Sequence, residues 1–463
     1  MNSNLPIERR AFLKASLAAT ATAGVAPAAL ARAAAAGGWQ IAPFSYDVTP
    51  PIGHTMAGFG GPAKEHRDAL QAIGYVLLNP DQPPIVVCVV DWIGINNAAH
   101  LAWRTALAEG AGTTPDRVAV HCVHQHDAPW ACMRSHQLVA GQKDLAPMFD
   151  LDFFNDCLKR GRNAVKQALA APIAISHVAT GQAKVERVAS SRRLRDKNGK
   201  FVWRGSGSRN PEVVALPEGK IDPFLRTLAF YAGDRKIVAC HYYATHPMSQ
   251  YGQGKVSSDF PGLARKRLQA AEPHCTHLYF TGCSGDVAAG KYNDGTDEAR
   301  AGLIDRLHAG MVAAGTTLKR EPIRQVTWRT ESVMGDVNPA MVNGALASLV
   351  AGRADVRAFR VRPAMQLAWV ERVKRGDPLV ISALRINDAT ALHLPGEMFV
   401  EYQLRAQQIA PTQQVMVAAY GDGAAWYVPT ADQYPIGGYE VSVAYNGPSF
   451  DGRMMEKIRA LLA

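Results

Sequence analysis

The sequence predicts an α/β protein, a layered mixed sheet with flanking helices. Two observations predict it. Strand-like apolar runs alternate with helix-like stretches along most of the chain. The apolar and charged shares, 48% and 19% of 463 residues, fit a globular chain with a large core rather than a disordered one. No internal sequence repeat or low-complexity linker follows the N-terminal segment, so residues 37–463 read as one composite domain.

Residues 1–36 stand apart from that domain. Paired arginines Arg9 and Arg10 precede Phe12, Leu13 and Lys14, then a weakly apolar Ala/Thr/Gly run ends in small residues at 29–36. This is the pattern of a twin-arginine export signal, and it predicts a periplasmic or secreted mature protein handled by the Tat translocation machinery. The net charge of +10 contains no basic run longer than "RKR" at 265–267, which argues against a nucleic-acid partner. No second apolar segment is long enough for a stable membrane span. The seven cysteines include no CxxC pair; one disulfide is allowed in an oxidising compartment, and the odd count leaves at least one free thiol.

Strands are expected at "PIVVCVV" (84–90), "RVAVHCV" (117–123), "KIVACHYYA" (236–244), "HLYFTG" (277–282) and "ALHL" (391–394), the first four β-branched or aromatic in bias. Helices are expected at 96–112, which stops at a glycine, and at 154–171, where Phe154, Leu158, Val165 and Leu169 follow helical spacing. Two more are expected at 257–273, which opens with Ser257, Ser258 and Asp259, and at 397–411. The polar, glycine-containing segment from about 181 to 222 reads as a long excursion, disordered or a lid. Residues 324–390 read as a mixed α+β insertion or subdomain.

Four of the five strands run into a polar motif: "HQHDAP", "THPMS", "GCSGD" and "LPGE". In open α/β sheets such positions collect reactive groups, because a rigid sheet holds them and the loops leave them open to substrate. His124 and His126 are two apart, so a continuing strand would put both on one face and His121 on the other. Neutral imidazoles so placed make a metal half-site, though a hydrogen-bonded structural pair has the same spacing. His246 is held at a strand mouth by Pro247, and His241, five residues back, reads as structural. Glu397 is either a helix N-terminal charge or an anionic ligand. Read as ligands, these residues would put a metal site at the strand ends. The 282–290 turn, with Gly285, is suited to presenting backbone N–H groups to a substrate oxyanion. A phosphate loop and a serine elbow are both absent, since neither Gly-Lys-Ser/Thr nor G-x-S-x-G occurs there.

In order and context these motifs resemble the neutral/alkaline non-lysosomal ceramidase family of zinc amidases, over most of the mature length. The resemblance rests on "YDVTPPIGHTMAGFG" (46–60), "VVDWIGI" (89–95), "HQHDAP" (124–129), "ATHPMS" (244–249), "TGCSGDV" (281–287), "LPGEMF" (394–399) and "YPIGGYEVSVAYNGP" (434–448). It implies one zinc per chain, held by His124, His246, Glu397 and a tyrosine, Tyr445, with Tyr439 as competitor. Ala288 stands where the family has a serine, and the chain ends without the family's C-terminal β-sandwich, as a short bacterial member would.

The function expected is therefore an exported zinc hydrolase that cleaves an amide or related acyl bond with a zinc-activated water. His126 would shuttle a proton or bind the oxyanion. Asp286 and Asp259 would orient the ligand histidines, with turn stabilisation and helix capping as their structural alternatives. Arg192 and Arg193, read as exposed loop residues, would clamp an anionic group. Two alternatives stay open: a carbohydrate-directed lyase or glycosidase on the same fold, and a non-catalytic metal-containing binding protein. The substrate is thus a small-molecule, lipid-like or glycan compound.

Overall fold

The computed structural model describes residues 38–56, 61–140, 147–339 and 357–463. The proposed export signal at 1–36 and the last residues of the 46–60 motif lie outside them.

One arrangement recurs three times along the chain. A strand pairs antiparallel with a second, which turns tightly into a third; a helix then crosses over to a fourth strand parallel to the third, and another helix follows. The first unit runs through Gln40–Asp47, Gln71–Asn79, Gln82–Val90, helix Ala98–Ala111, Val118–Cys122 and helix Leu151–Ala168. The second uses His177–Lys184, Phe224–Ala232, Arg235–Tyr243, helix Asp259–Ala271, Thr276–Thr281 and helix Asp297–Thr316. The third uses Val326–Val333, Leu379–Ile386, Ala389–His393, helix Val400–Ile409, Gln414–Ala418 and helix Ser449–Leu462. The parallel pair explains the crossover helix in each unit, because two parallel strands cannot be joined by a hairpin.

Strand periodicity builds the layers. In the first sheet Tyr75, Leu77, Ile85, Val87 and Val89 point into one core, and Val76, Leu78, Val86, Cys88 and Val90 into another. Gln82–Val90 is buried on both faces, which is why it reads as an unbroken apolar run. The first core is shared by all three sheets, through Val87 of the first, Val238 and Phe280 of the second, and Leu384 and Met416 of the third.

Where the fourth strands end, the units interlock. Cys122 N donates to the Tyr420 carbonyl at 2.9 Å, Ala419 N to the Thr281 carbonyl at 2.9 Å, and the Thr281 hydroxyl to the Val123 carbonyl at 2.7 Å. The loops that follow the parallel strands therefore share one end of the molecule.

The α/β expectation holds, with one correction. Residues 181–222 are neither disordered nor a loose lid. His177–Lys184 lies in sheet register with Phe224–Ala232, and the remainder is pinned by buried Arg204, which donates to the carbonyls of Ser191, Pro217 and Glu218. Of the two readings of residues 324–390, their described part fits the subdomain, since Val326–Val333 and Leu379–Ile386 open the third unit. All seven cysteines are buried and unpaired. No helix among the described residues is long and apolar enough to cross a membrane.

Candidate metal centre

Val118–Cys122 stops before the histidines, and His124 takes a left-handed backbone, φ 74°. The parity argument for a continuing strand therefore fails, and the loop itself brings the rings of His124 and His126 within 5.0 Å. His124 Nδ1 lies 2.6 Å from the Ile93 carbonyl and donates to it, which in the neutral ring puts the lone pair on Nε2. That Nε2 is buried without a hydrogen-bond partner among the described residues and lies 3.5 Å from Glu397 Oε2.

His246 enters from the second unit. Its backbone N–H bonds the Val287 carbonyl at 2.9 Å, and its Nδ1 faces the Ser284 carbonyl at 3.3 Å and the Tyr420 hydroxyl at 3.4 Å. Its Nε2 lies 3.9 Å from Glu397 Oε2 and 3.1 Å from His126 Nε2. His124, His126 and His246 can each offer a ligand atom within 4.8 Å of the others.

Glu397 comes from the third unit, in a two-residue strand paired with Tyr427–Val428. Its carboxylate Oε2 is buried without a hydrogen-bond partner among the described residues. Gly285 fixes its backbone: Gly285 N donates to the Met398 carbonyl at 2.8 Å, and a Cβ at 285 would stand 2.3 Å from the Glu397 carbonyl oxygen. Only glycine fits so close an approach.

The electrostatics suit a cation. Burial first, and then the neighbouring imidazoles, hold His126 and His246 well below the usual histidine range, so both are neutral at pH 7. Neutral imidazole is the form that ligates metal. An unpartnered carboxylate oxygen and an unpartnered imidazole nitrogen facing each other in a buried site are costly as they stand. A divalent cation between them satisfies both, and the mixed nitrogen and oxygen donors fit zinc.

The structure thus unites His124, His126, His246 and Glu397. Tyr445 is buried, its ring stacked on Trp426 at 5.4 Å and its hydroxyl without a hydrogen-bond partner among the described residues. Tyr439 is engaged elsewhere, its hydroxyl accepting from Arg362 at 3.1 Å.

The supporting residues act less directly than the sequence implied. Asp259 accepts from Ser249 N at 2.8 Å and from the Ser249 hydroxyl, so it pins the loop after His246 rather than an imidazole. Asp286 accepts from Val400 N at 2.7 Å, tying the helix after Glu397, and burial pushes its pKa up to about 7. Three N–H groups of the 282–286 turn are already engaged and are not offered to an oxyanion. Gly282, Cys283 and Gly285 spend their N–H groups on Tyr243, Gln403 and Met398. Arg192 and Arg193 are not exposed: their side chains are 6% and 5% accessible, and both pair at 3.1 Å with fully buried Glu440. His121 and His241 are structural as expected, bonded to the Ala419 carbonyl and to Thr227 and His277.

Tyr420 went unnoticed in the sequence. Its ring stacks on His124 at 4.3 Å and its hydroxyl lies 2.8 Å from Ser284 Oγ. The apolar run before it, "QVMVA" at 414–418, was the available signal for one more strand end.

Fold and site define a class: an α/β protein with an imidazole and carboxylate cluster where three sheets converge. Two solved structures of similar architecture are ceramidases. The neutral ceramidase from Pseudomonas aeruginosa matches with a TM-score of 0.65 at 16% identity, over 92% of this chain and 74% of that one. A ceramidase complexed with C2 matches with a TM-score of 0.65 at 14% identity, over 92% and 75%. No protein-family model matches the sequence, and no curated protein does. The chain has the neutral ceramidase fold.

Proposed function

We propose that the protein is an exported, zinc-dependent hydrolase of the ceramidase type that cleaves an N-acyl amide or related acyl bond. The observation that carries this reading is the meeting of His124 Nε2, His246 Nε2 and Glu397 Oε2, two of them buried and unpartnered, inside a ceramidase fold. His124, His246 and Glu397 would hold the cation, with Tyr445 as the further oxygen donor. The metal supplies Lewis acidity toward the scissile carbonyl. His126, half-buried and neutral at pH 7, accepts a proton from the attacking water and returns it to the leaving amine. Tyr420 and the Ile93 and Ser284 carbonyls hold the ligand rings in place. The twin-arginine pattern supports export to the periplasm or beyond.

A carbohydrate-directed reaction on the same site is the second reading. Ala288 favours it: it is buried beside His246 and brings no hydroxyl where the resembling family has one. The test is hydrolysis of a panel of N-acyl amides, acyl esters and glycans by wild type and His246→Ala, each with its metal content measured. Amide turnover lost together with metal supports the proposal. Activity that persists in metal-free protein refutes it.

A further inference from the structure

A second donor cluster sits at the far end of the strand that leads to the site. Glu272, Cys275 and His277 fall within the stretch "EPHCTH", and their ligand atoms lie within 4.8 Å of one another. Thr276–Thr281 begins here and reaches the 282–286 turn at its other end, ~20 Å away at the usual rise per residue. The cluster is therefore separate from the imidazole and carboxylate centre.

Cys275 lies in the bend just before Thr276–Thr281, two residues from His277, and Glu272 closes the helix Asp259–Ala271. His277 is fully buried, and its Nε2 faces Glu272 Oε2 at 3.3 Å. Its other nitrogen is spoken for. Nδ1 lies 3.0 Å from His241 Nε2, and His241 Nδ1 lies 2.9 Å from the Thr227 hydroxyl. Such a chain fixes ring orientation and tautomer, as outer partners do for a ligating histidine, and it can leave Nε2 as a lone pair aimed at Cys275 and Glu272. Exposed His274, one residue before Cys275, is a further imidazole in the same stretch.

We propose that Glu272, Cys275 and His277 form a second metal site, for zinc or a similar borderline divalent cation. One thiolate, one imidazole and one carboxylate suit that class and disfavour magnesium or calcium. Binding exchanges the Cys275 thiol proton for the metal–sulfur bond and releases one proton to solvent. Burial holds that thiol protonated in the free state, at a pKa of about 12, and Lys236 competes for Glu272 from 2.6 Å. The site therefore fills at higher free metal than the catalytic centre.

The test loads the mature protein with cobalt(II) and records its near-ultraviolet spectrum. A thiolate-to-cobalt charge-transfer band is expected in wild type and in His246→Ala, because an imidazole and carboxylate centre cannot produce it. The band is lost in Cys275→Ala, a small residue for a site packed against Ala229 and Ala239, and is shifted or weakened in His277→Gln. No thiolate band in wild type, or a band that survives Cys275→Ala, overturns the proposal. Either outcome is independent of whether the protein hydrolyses amides.

Discussion

His124 and Tyr420 lie face to face, ring centroids 4.3 Å apart and planes 24° apart. They hold matching places in two units. Each is the second residue past its fourth strand, Val118–Cys122 or Gln414–Ala418, and each has a left-handed backbone, φ 74° and 59°. Non-glycine residues adopt that conformation at a cost and cluster where function over-determines them. Tyr420 also reaches His246 Nδ1 at 3.4 Å, so one side chain braces imidazoles from two units. Replacing Tyr420 with alanine should weaken metal binding ~10–100-fold, the usual effect of losing such a support. Phenylalanine, which keeps the ring, should restore most of it. Chelator competition measures both.

Gly285→Ala should displace the Glu397 strand, because the added methyl meets the Glu397 carbonyl oxygen at 2.3 Å and that oxygen belongs to buried backbone. Overpacking of this kind costs about 1–3 kcal/mol. A lower melting temperature together with lost metal is expected; a variant with wild-type metal content and stability would contradict the geometry.

His126→Gln separates two roles for a residue whose Nε2 lies 3.1 Å from His246 Nε2. As a proton carrier it contributes to turnover, so kcat should fall ~10²–10⁴-fold while metal content stays at the wild-type level. Loss of metal in this variant would make it a ligand instead.

Acid stability should show the buried histidines. Burial, the largest cause in each case, lowers His100 to about 4 and His121 to about 3 from a usual 6.5. Below pH 6.5 the unfolded chain binds protons that these folded rings refuse. Their contribution is therefore full above that pH and is lost as pH falls toward 4 and 3, at roughly 1.4 kcal/mol per pH unit per ring. Asp286, raised by burial to about 7, acts in the opposite direction, so the test is a difference. Urea midpoints of His100→Gln, which retains a donor for the Val120 carbonyl, should fall less steeply than wild type between pH 6 and 4. Parallel curves would contradict this.

Much of the site was legible because strand ends are local features. An apolar β-branched run followed by His or Glu needs no tertiary knowledge, and His124, His246 and Glu397 were found that way or through the resemblance. What escaped depended on contacts distant in sequence. Tyr420 looks ordinary until His124 and His246 arrive from other units. Arg192 and Arg193 look solvent-exposed until Glu440, far along the chain, is buried between them. The threefold recurrence left no trace in the residues, because a strand constrains only polarity and shape, and three different apolar runs can fill the same place.

The central claim is that one cation sits among His124, His246 and Glu397. Anomalous diffraction at the zinc edge, from crystals of mature protein purified without chelator, tests it most directly. The account predicts a peak within bonding distance of His124 Nε2, His246 Nε2 and Glu397 Oε2. Well-ordered side chains with no anomalous density between them would contradict it.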